Sequence, residues 1–426
     1  MNRIFVIALL AAALCTQAAA RELIVINGLG ETADRVDLDA ATIDHNVATL
    51  GLTPNDFLVD GDLGVAINSG GNDLFFYELP TMSPAGSLWL GNNRNPWSGA
   101  WLGSDTLVIT NWLTSTISLV DVSAPAVIGE YPIGLPAENI NHPQSIVIVG
   151  RKAYITMSCF DDLYQYHPGK IEVFDLDANS TIARLGVNLN PQDITLGQDG
   201  YLYVVCTGNY WDVFGMMYRI DPTSDQLIDS LAVGGQPAAI TTTVEGLAFL
   251  GAGGWTKSSA MPGWLNPNAL NAASTDKGNG GLVYTVDLIA WQLRHGPTNP
   301  LHASSGVVNV ATVSDSSVVV CCFQDDILVE IDSSGQVLSN YPTGDGPTAI
   351  GKYPACFVPR GDANGDGVGN ITDAVYLVQY IFSSGPAPVN PVAGDANGDG
   401  TANITDAVFL VEYVFNDGEV PTGCSD

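Results

Sequence analysis

The sequence predicts a mainly β protein, a seven-bladed β-propeller followed by a small α-helical module. Three observations carry the prediction. From about Arg21 to Tyr353 the chain repeats a unit of about 48 residues seven times, a length that fits four-stranded propeller blades. Six of the seven units place a proline beside one strand, and every unit ends another strand in an acid. Beyond Gly361 a twelve-residue loop rich in Asp and Asn occurs twice, each copy running into a short amphipathic stretch.

The first element is an address label. Asn2 and Arg3 precede an apolar run from Ile4 to Leu14, with small residues at Ala18 and Ala20, so residues 1–20 read as a bacterial-type export signal cleaved near Ala20. That run is shorter than the ~20 residues a membrane span needs, and no later segment is long and apolar enough to be one. Leu14 before Cys15 argues against lipidation. The six remaining cysteines enter a compartment where pairing is permitted. Secretion or display at the cell surface is expected.

Composition narrows the class further. The chain has 426 residues, 14 Lys plus Arg against 45 Asp plus Glu, and a formal charge of -31, which excludes nucleic acid as a partner. With 46 Gly, 24 Pro and 46% hydrophobic residues it is a turn-rich globular protein, neither disordered nor collagen-like.

Each repeat contains an apolar run that reads as a strand buried on both faces: Leu23 to Ile26, Gly64 to Ile67, Leu107 to Thr110, Ala153 to Thr156, Leu202 to Val205, Leu247 to Leu250 and Val318 to Cys321. A second strand follows and ends at Asp37, Glu78, Asp121, Asp175, Asp221, Asp287 or Asp332. Pro54, Pro96, Pro143, Pro191, Pro237 and Pro347 then introduce the next strand, and the unit between Pro237 and Pro347 lacks one. Small sheets that are apolar on both faces bury them only against neighbouring blades, which selects a closed ring. The repeats begin in mid-blade, at Leu23 to Asn27, and the missing strand reappears as Gly346 to Gly351. Closure of the first blade by that terminal segment is expected.

The pattern in Leu202-Tyr203-Val204-Val205, Tyr218-Arg219-Ile220-Asp221-Pro222 and Val233-Gly234-Gly235-Gln236-Pro237 resembles the YVTN type of propeller repeat found in exported and surface-layer bacterial proteins. The resemblance implies the fold and supplies no catalytic residue. Long loops are where a ligand would be held. Gly253 to Gly281 carries Trp255 and Trp264; Ser87 to Trp101 carries Trp89, Arg94 and Trp97; Gly208 to Gly215 carries Tyr210, Trp211 and Asp212. Trp97, Trp211, Trp255 and Trp264 are candidate ligand residues for a glycan or peptide, against the alternative that they pin the loops to the propeller. Asn55, Asp56, Gln144, Gln192 and Asp193 are candidates to ring the channel mouth, and equally turn formers. No catalytic motif stands out: the five histidines lie in different units, and Asp161-Asp162 and Asp325-Asp326 read as turns.

Asp362-Ala363-Asn364-Gly365-Asp366-Gly367-Val368-Gly369-Asn370-Ile371-Thr372-Asp373 recurs 33 residues later from Asp395 to Asp406. Oxygen donors stand at loop positions 1, 3, 5, 9 and 12, with Gly at 6 and a backbone carbonyl at 7, the pattern that wraps a hard Ca²⁺ ion. Three carboxylates per loop repel one another without a cation, so two calcium ions are expected as a condition of folding here. Amphipathic helices are predicted over Thr372 to Phe382 and Thr405 to Phe415, their apolar positions being Ala374, Val375, Val378, Ile381 and Ala407, Val408, Val411, Val414.

Two loop-helix F-hand repeats without a leading helix, joined by Ser383 to Ala393, resemble a type I dockerin. The resemblance implies calcium-dependent docking onto a cohesin-like domain of a scaffold or surface protein. It carries calcium ligation over to Asp362, Asn364, Asp366, Asn370 and Asp373 with the Val368 carbonyl, and to Asp395, Asn397, Asp399, Asn403 and Asp406 with the Thr401 carbonyl. Recognition carries over to Ile371, Thr372, Val378 and Gln379, and to Ile404, Thr405, Val411 and Glu412. Gln379 and Glu412 depart from well-known cellulosomal members, which often place basic residues late in this helix.

The expected organisation is therefore an export signal at 1–20, a propeller at 21–355 and a dockerin at 356–426. A Cys356–Cys424 disulfide is expected, because two loop-helix units packed about a pseudo-twofold axis bring the ends of the module together. Cys159 and Cys206 fall in different blades, and Cys321 and Cys322 read as small apolar fillers. A monomeric, non-catalytic adaptor is the favoured function, with a polysaccharide-degrading hydrolase or lyase as the rival and a dockerin without a cohesin partner as the third reading.

Overall fold

The computed structural model describes residues 21–425 apart from 104, 136–140, 162, 164, 244, 254–280, 315, 354–357, 366–368, 384, 389–390, 398–400, 417, 419–420 and 422–423. Its contacts fall into two compact units, residues 21–357 and residues 358–424.

The larger unit is seven antiparallel sheets, six of four strands and one with a short fifth strand. The first blade is built from both ends of the repeat region, in the order Pro347–Tyr353, Glu22–Asn27, Thr32–Asp37, Thr42–Thr49. Ile24 lies opposite Gly351 and Val25 opposite Ile350 in the closing register. The expected closure is present, with its strand starting at Pro347 and running to Tyr353. Each blade's first strand touches the first strand of the next, all the way round. Pro54, Pro96, Pro143, Pro191 and Pro347 are themselves the first residues of those inner strands, where a missing N–H costs least. The proline-free blade starts its inner strand at Val307.

The core explains why the ring closes. Among the described residues the propeller has seven apolar clusters, and each belongs to a pair of neighbouring blades. Along Glu22–Asn27, Leu23 and Val25 pack with Val319 and Cys321 of the seventh blade, whereas Ile24 and Ile26 pack with Phe57 and Ala66 of the second. Tyr203 and Val205 likewise face the sixth blade, and Leu202, Val204 and Cys206 the fourth. Side chains of a strand alternate between faces, so one fully buried strand serves two interfaces. Glycine permits the closest approach: a Cβ on Gly351 would lie 2.5 Å from the Phe57 ring. Cys159, Cys206, Cys321 and Cys322 are all buried within these interfaces.

The recurrent acids have a local cause. Asp37 accepts from the amides of Asp39 and Ala40, Asp175 from Asp177 and Ala178, and Asp287 from Ile289 and Ala290, closing the turn after each strand. Hydroxyl hydrogen bonds from Ser123, Thr223 and Ser334 hold the Asp121, Asp221 and Asp332 carboxyls below their ordinary range. A lowered folded value stabilises above the ordinary carboxylate range and is lost as pH falls through it.

Inner strands are also tied by polar groups. Asp56 accepts from the Ser98 hydroxyl at 2.8 Å, joining the second blade to the third. Asp193 accepts from Ser145 at 2.8 Å and from the Ile240 amide at 2.9 Å, joining the fourth, fifth and sixth. Burial, with the Asp56 charge adding, pushes Asp193 from its ordinary 3.8 up to about 6.

In the smaller unit, α1 (Ile371–Ser383), the single turn α2 (Pro391–Gly394) and α3 (Ile404–Phe415) follow one another. Ala363, Ala374 and Leu377 pack with their repeat mates Ala396, Ala407 and Leu410, and the small alanines Ala374 and Ala407 let α1 and α3 approach. The two-residue strands Val358–Pro359 and Cys424–Ser425 pair with each other. The expected Cys356–Cys424 bridge lies outside the described residues.

Two outcomes are expected. Truncation before Gly346 removes the closing strand and lowers the melting temperature of the propeller far more than truncation after Cys356; equal melting temperatures would contradict closure by Pro347–Tyr353. The Asp193 carboxyl, held above its unfolded value, stabilises fully below pH ~4 and loses that contribution as pH rises through about 6. Asp193→Asn does not ionise, so its stability relative to the parent rises by roughly 1–3 kcal/mol between pH ~4 and pH ~7. Melting curves at the two pH values check this, and a constant difference contradicts it.

Candidate functional site: paired oxygen-donor loops and an apolar groove

The two loops of the smaller unit place carboxylates where carboxylates are costly. Asp362, Asp373 and Asp406 are fully buried and Asp395 nearly so. The last acid of each loop gathers the loop about itself. Asp373 accepts from the Asn364 amide at 3.0 Å and the Asn370 amide at 2.9 Å; Asp406 accepts from Asn397 at 3.0 Å and Asn403 at 2.7 Å. Positions 3, 9 and 12 of each loop are thereby fixed together.

The same residues start the helices. Asn403 caps α3 by accepting from the Thr405 amide at 2.8 Å, and Asp406 returns the bond to the Asn403 amide, a capping box. Asn370 accepts from the Thr372 amide at 2.8 Å in the first repeat. A negative side chain in the first turn also suits the helix dipole. Loop closure and helix initiation are therefore one event.

All these donors are oxygens, from carboxylates, amides and carbonyls, the set preferred by Ca²⁺ over softer-ligand metals. Buried carboxylates of like charge call for a cation, so the residues fit calcium. Asp362, Asn364, Asn370 and Asp373 stand in the first loop, and Asp395, Asn397, Asn403 and Asp406 in the second. The Thr401 carbonyl accepts from Asn403 Nδ2 at 2.9 Å. Asp366, Val368 and Asp399 lie outside the described residues.

Next to the loops, α1 and α3 frame a groove of about 310 Å³ lined by Ile371, Ala374, Val375, Val378 and Gln379 and by Ile404, Ala407, Val408 and Val411. Five of the eight expected recognition residues, Ile371, Val378, Gln379, Ile404 and Val411, line it. The other three are occupied elsewhere. The Thr372 and Thr405 hydroxyls donate to Asn370 and Asn403 at 2.8 and 2.9 Å, and Glu412 accepts from Asn416 Nδ2 at 2.8 Å beyond the end of α3. The recognition set omitted four groove residues, Ala374 and Ala407 together with Val375 and Val408, of which the valines are 50% and 54% exposed. Leu377 turns inward, Ala374 serves both the inner cluster and the groove, and Ile371, Val375 and Val378 line the groove. Spacings of four and three residues at Ile371, Val375 and Val378, repeated at Ile404, Val408 and Val411, carried that signal.

On the propeller, Trp97 belongs to a ladder of rings. Trp97 stacks on Trp112 at 6.1 Å, Trp112 on His142 at 4.3 Å and His142 on Phe160 at 4.4 Å, and the contacts continue through Tyr166 to Tyr210. The ladder ties loops of the third, fourth and fifth blades together, and burial raises the phenols of Tyr166 and Tyr210. Trp211 beside it is 66% exposed, in a loop whose amides at Trp211, Asp212 and Val213 all donate to Asn209. Trp255 and Trp264 lie outside the described residues. Of the channel candidates, Asp56 and Asp193 bridge blades as above, Gln144 donates to Ser158 at 3.2 Å and Gln192 to Asn190 at 2.6 Å. Asp161 accepts from the Leu163 and Gln165 amides and meets His167 at 3.1 Å, as a turn residue does.

Comparison with known proteins separates the two units. No curated protein matches the chain in sequence. Solved structures similar to it include the periplasmic gluconolactonase of Pseudomonas aeruginosa, 14% identical with a TM-score of 0.56 over 78% of this chain and 99% of that one. A hydrazine synthase chain of Kuenenia stuttgartiensis is 14% identical with a TM-score of 0.54, covering 70% and 88%. A quinonprotein alcohol dehydrogenase-like protein of Bacteroides thetaiotaomicron is 13% identical with a TM-score of 0.53, covering 79% and 78%. Identities this low speak for the propeller fold alone. The family Dockerin type I domain matches residues 360–415, and domains of that family bind calcium and dock onto cohesins. The chain thus joins a seven-bladed β-propeller to a calcium-binding dockerin type I domain at residues 360–415.

Proposed function

We propose that the chain is an exported, non-catalytic adaptor. Its dockerin tethers it, in a calcium-dependent manner, to a cohesin-like domain on a scaffold or cell-surface partner, and its propeller presents a binding face to a glycan or peptide. One observation supports the docking half above all: the groove between α1 and α3 exposes Val375, Val378, Val408 and Val411 directly after loops whose closure depends on buried carboxylates. Emptying the loops of cation would unseat the helices that form the groove. Export agrees with the reading of residues 1–20, and no described helix is long and apolar enough to cross a membrane. A Cys356–Cys424 bridge, in this proposal, clasps the ends of the dockerin.

For the propeller half, exposed Trp211 beside the aromatic ladder supports a stacking surface. Trp97 is half-buried and stacked on Trp112 while Trp211 is open to solvent, so Trp211 rather than Trp97 is the ligand-facing residue in this proposal. Turnover of a polysaccharide by the purified chain would replace the adaptor with a hydrolase or lyase.

Two measurements test the docking half. Calorimetry against a panel of cohesin domains is expected to detect binding with calcium present and none after chelation. Val375→Asp with Val408→Asp is expected to weaken that binding at least about tenfold while calcium uptake persists. Binding that survives both chelation and the charged groove contradicts the assignment, and a panel without any binder leaves the dockerin as a folding module alone. Asp373→Ala with Asp406→Ala is expected to unfold the tail and keep the sheet signal of the propeller. An unchanged tail refutes the roles given to these two acids.

A further inference from the structure

The two calcium loops carry the same donor residues at positions 1, 3, 5, 9 and 12, and each contributes three aspartates. By their ligands alone they would hold calcium equally. Two residues before the first aspartate, however, the repeats differ: Arg360 stands in one and Ala393 in the other. Arg360 is the single Lys or Arg in residues 360–426, against ten Asp and Glu.

The arginine does not serve the loop it precedes. Its Nη1 donates to both the Oδ2 and the backbone carbonyl of Asp395, the first ligand of the second loop. The backbone brings it there, because the Gly361 amide donates to the Ala393 carbonyl at 3.0 Å and sets the entrances of the two loops side by side. Both partners are shielded from water, the side chain of Arg360 being 18% exposed and that of Asp395 8%. The repeat mate of the arginine, Ala393, has no side chain able to do the same for Asp362.

We infer that Arg360 makes the two calcium sites unequal, the second loop binding the ion more weakly because a guanidinium is fastened to its first ligand. The physics is one of charge. Three carboxylates and one Ca²⁺ leave the first loop at a net -1, while the guanidinium brings the second to neutrality before any partner is met. A shielded positive group beside a divalent cation weakens its binding, and this one also occupies Oδ2 of a carboxylate that would ligate the ion. The first loop therefore fills at lower calcium and the second acts as the step that completes the groove. The inference extends the calcium assignment to this chain's own arginine.

Calcium titration of the metal-free full-length chain by calorimetry tests it. Two sites roughly tenfold apart are expected, the tighter lost in Asp373→Ala and the weaker lost in Asp406→Ala. Arg360→Gln is expected to strengthen the weaker site until the two are indistinguishable, and Arg360→Lys to keep most of the gap. Equal sites in the parent, a gap unchanged in Arg360→Gln, or a second site weakened by that change each overturn the inference. A chain that takes up no calcium overturns the loop assignment itself, an outcome distinct from two equal sites.

Discussion

The propeller depends on one constraint: the second strand of every blade is buried on both faces, and its alternate side chains belong to different neighbours. Leu23 and Val25 are committed to the seventh blade, Ile24 and Ile26 to the second. No blade can bury its own apolar residues, since each of the seven clusters is shared between two sheets. A chain built this way has no stable end until its last strand meets its first, which is why Pro347–Tyr353 completes the blade that Glu22–Asn27 begins. Polar bridges such as Ser145–Asp193–Ile240 then fix neighbouring inner strands to one another at the cost of burying a charge.

The dockerin solves a different problem. With six buried apolar residues at its centre among the described residues, Ala363, Ala374, Leu377 and their repeat mates, it has too little core to hold two helices by burial alone. Its aspartates supply the rest, gathering each loop and starting each helix, but only if a cation offsets their charge. Calcium is thus part of the fold, and whatever the groove binds is linked thermodynamically to the loops.

Much of this was legible in the sequence because it is periodic. Two-residue alternation within the buried strands, the acid ending each second strand and the 33-residue duplication all arise from local rules, and the acids prove to be turn closers, as at Asp37 and Asp287. Contacts that join distant segments were less visible. The ladder from Trp97 to Tyr210 draws on five separate stretches of chain, and no spacing marks them as neighbours. Val375 and Val408 were readable as apolar but not as outward-facing, because the helix pair closes over Leu377 and Leu410 and leaves the valines in an open groove that only packing reveals. The meeting of Arg360 with Asp395 also depends on the fold, which sets the entrances of the two loops side by side.

The central claim is that two units in one chain are held by different forces, apolar blade interfaces in one and bound calcium in the other. Hydrogen exchange followed by mass spectrometry on the full-length protein, with calcium and then with a chelator, tests it most directly. The account predicts that amides in residues 360–415 lose protection on chelation, while those of strands such as Leu202–Cys206 and Ser317–Cys322 keep theirs. Protection in 360–415 that survives chelation, or strands that open together with the tail, would contradict it.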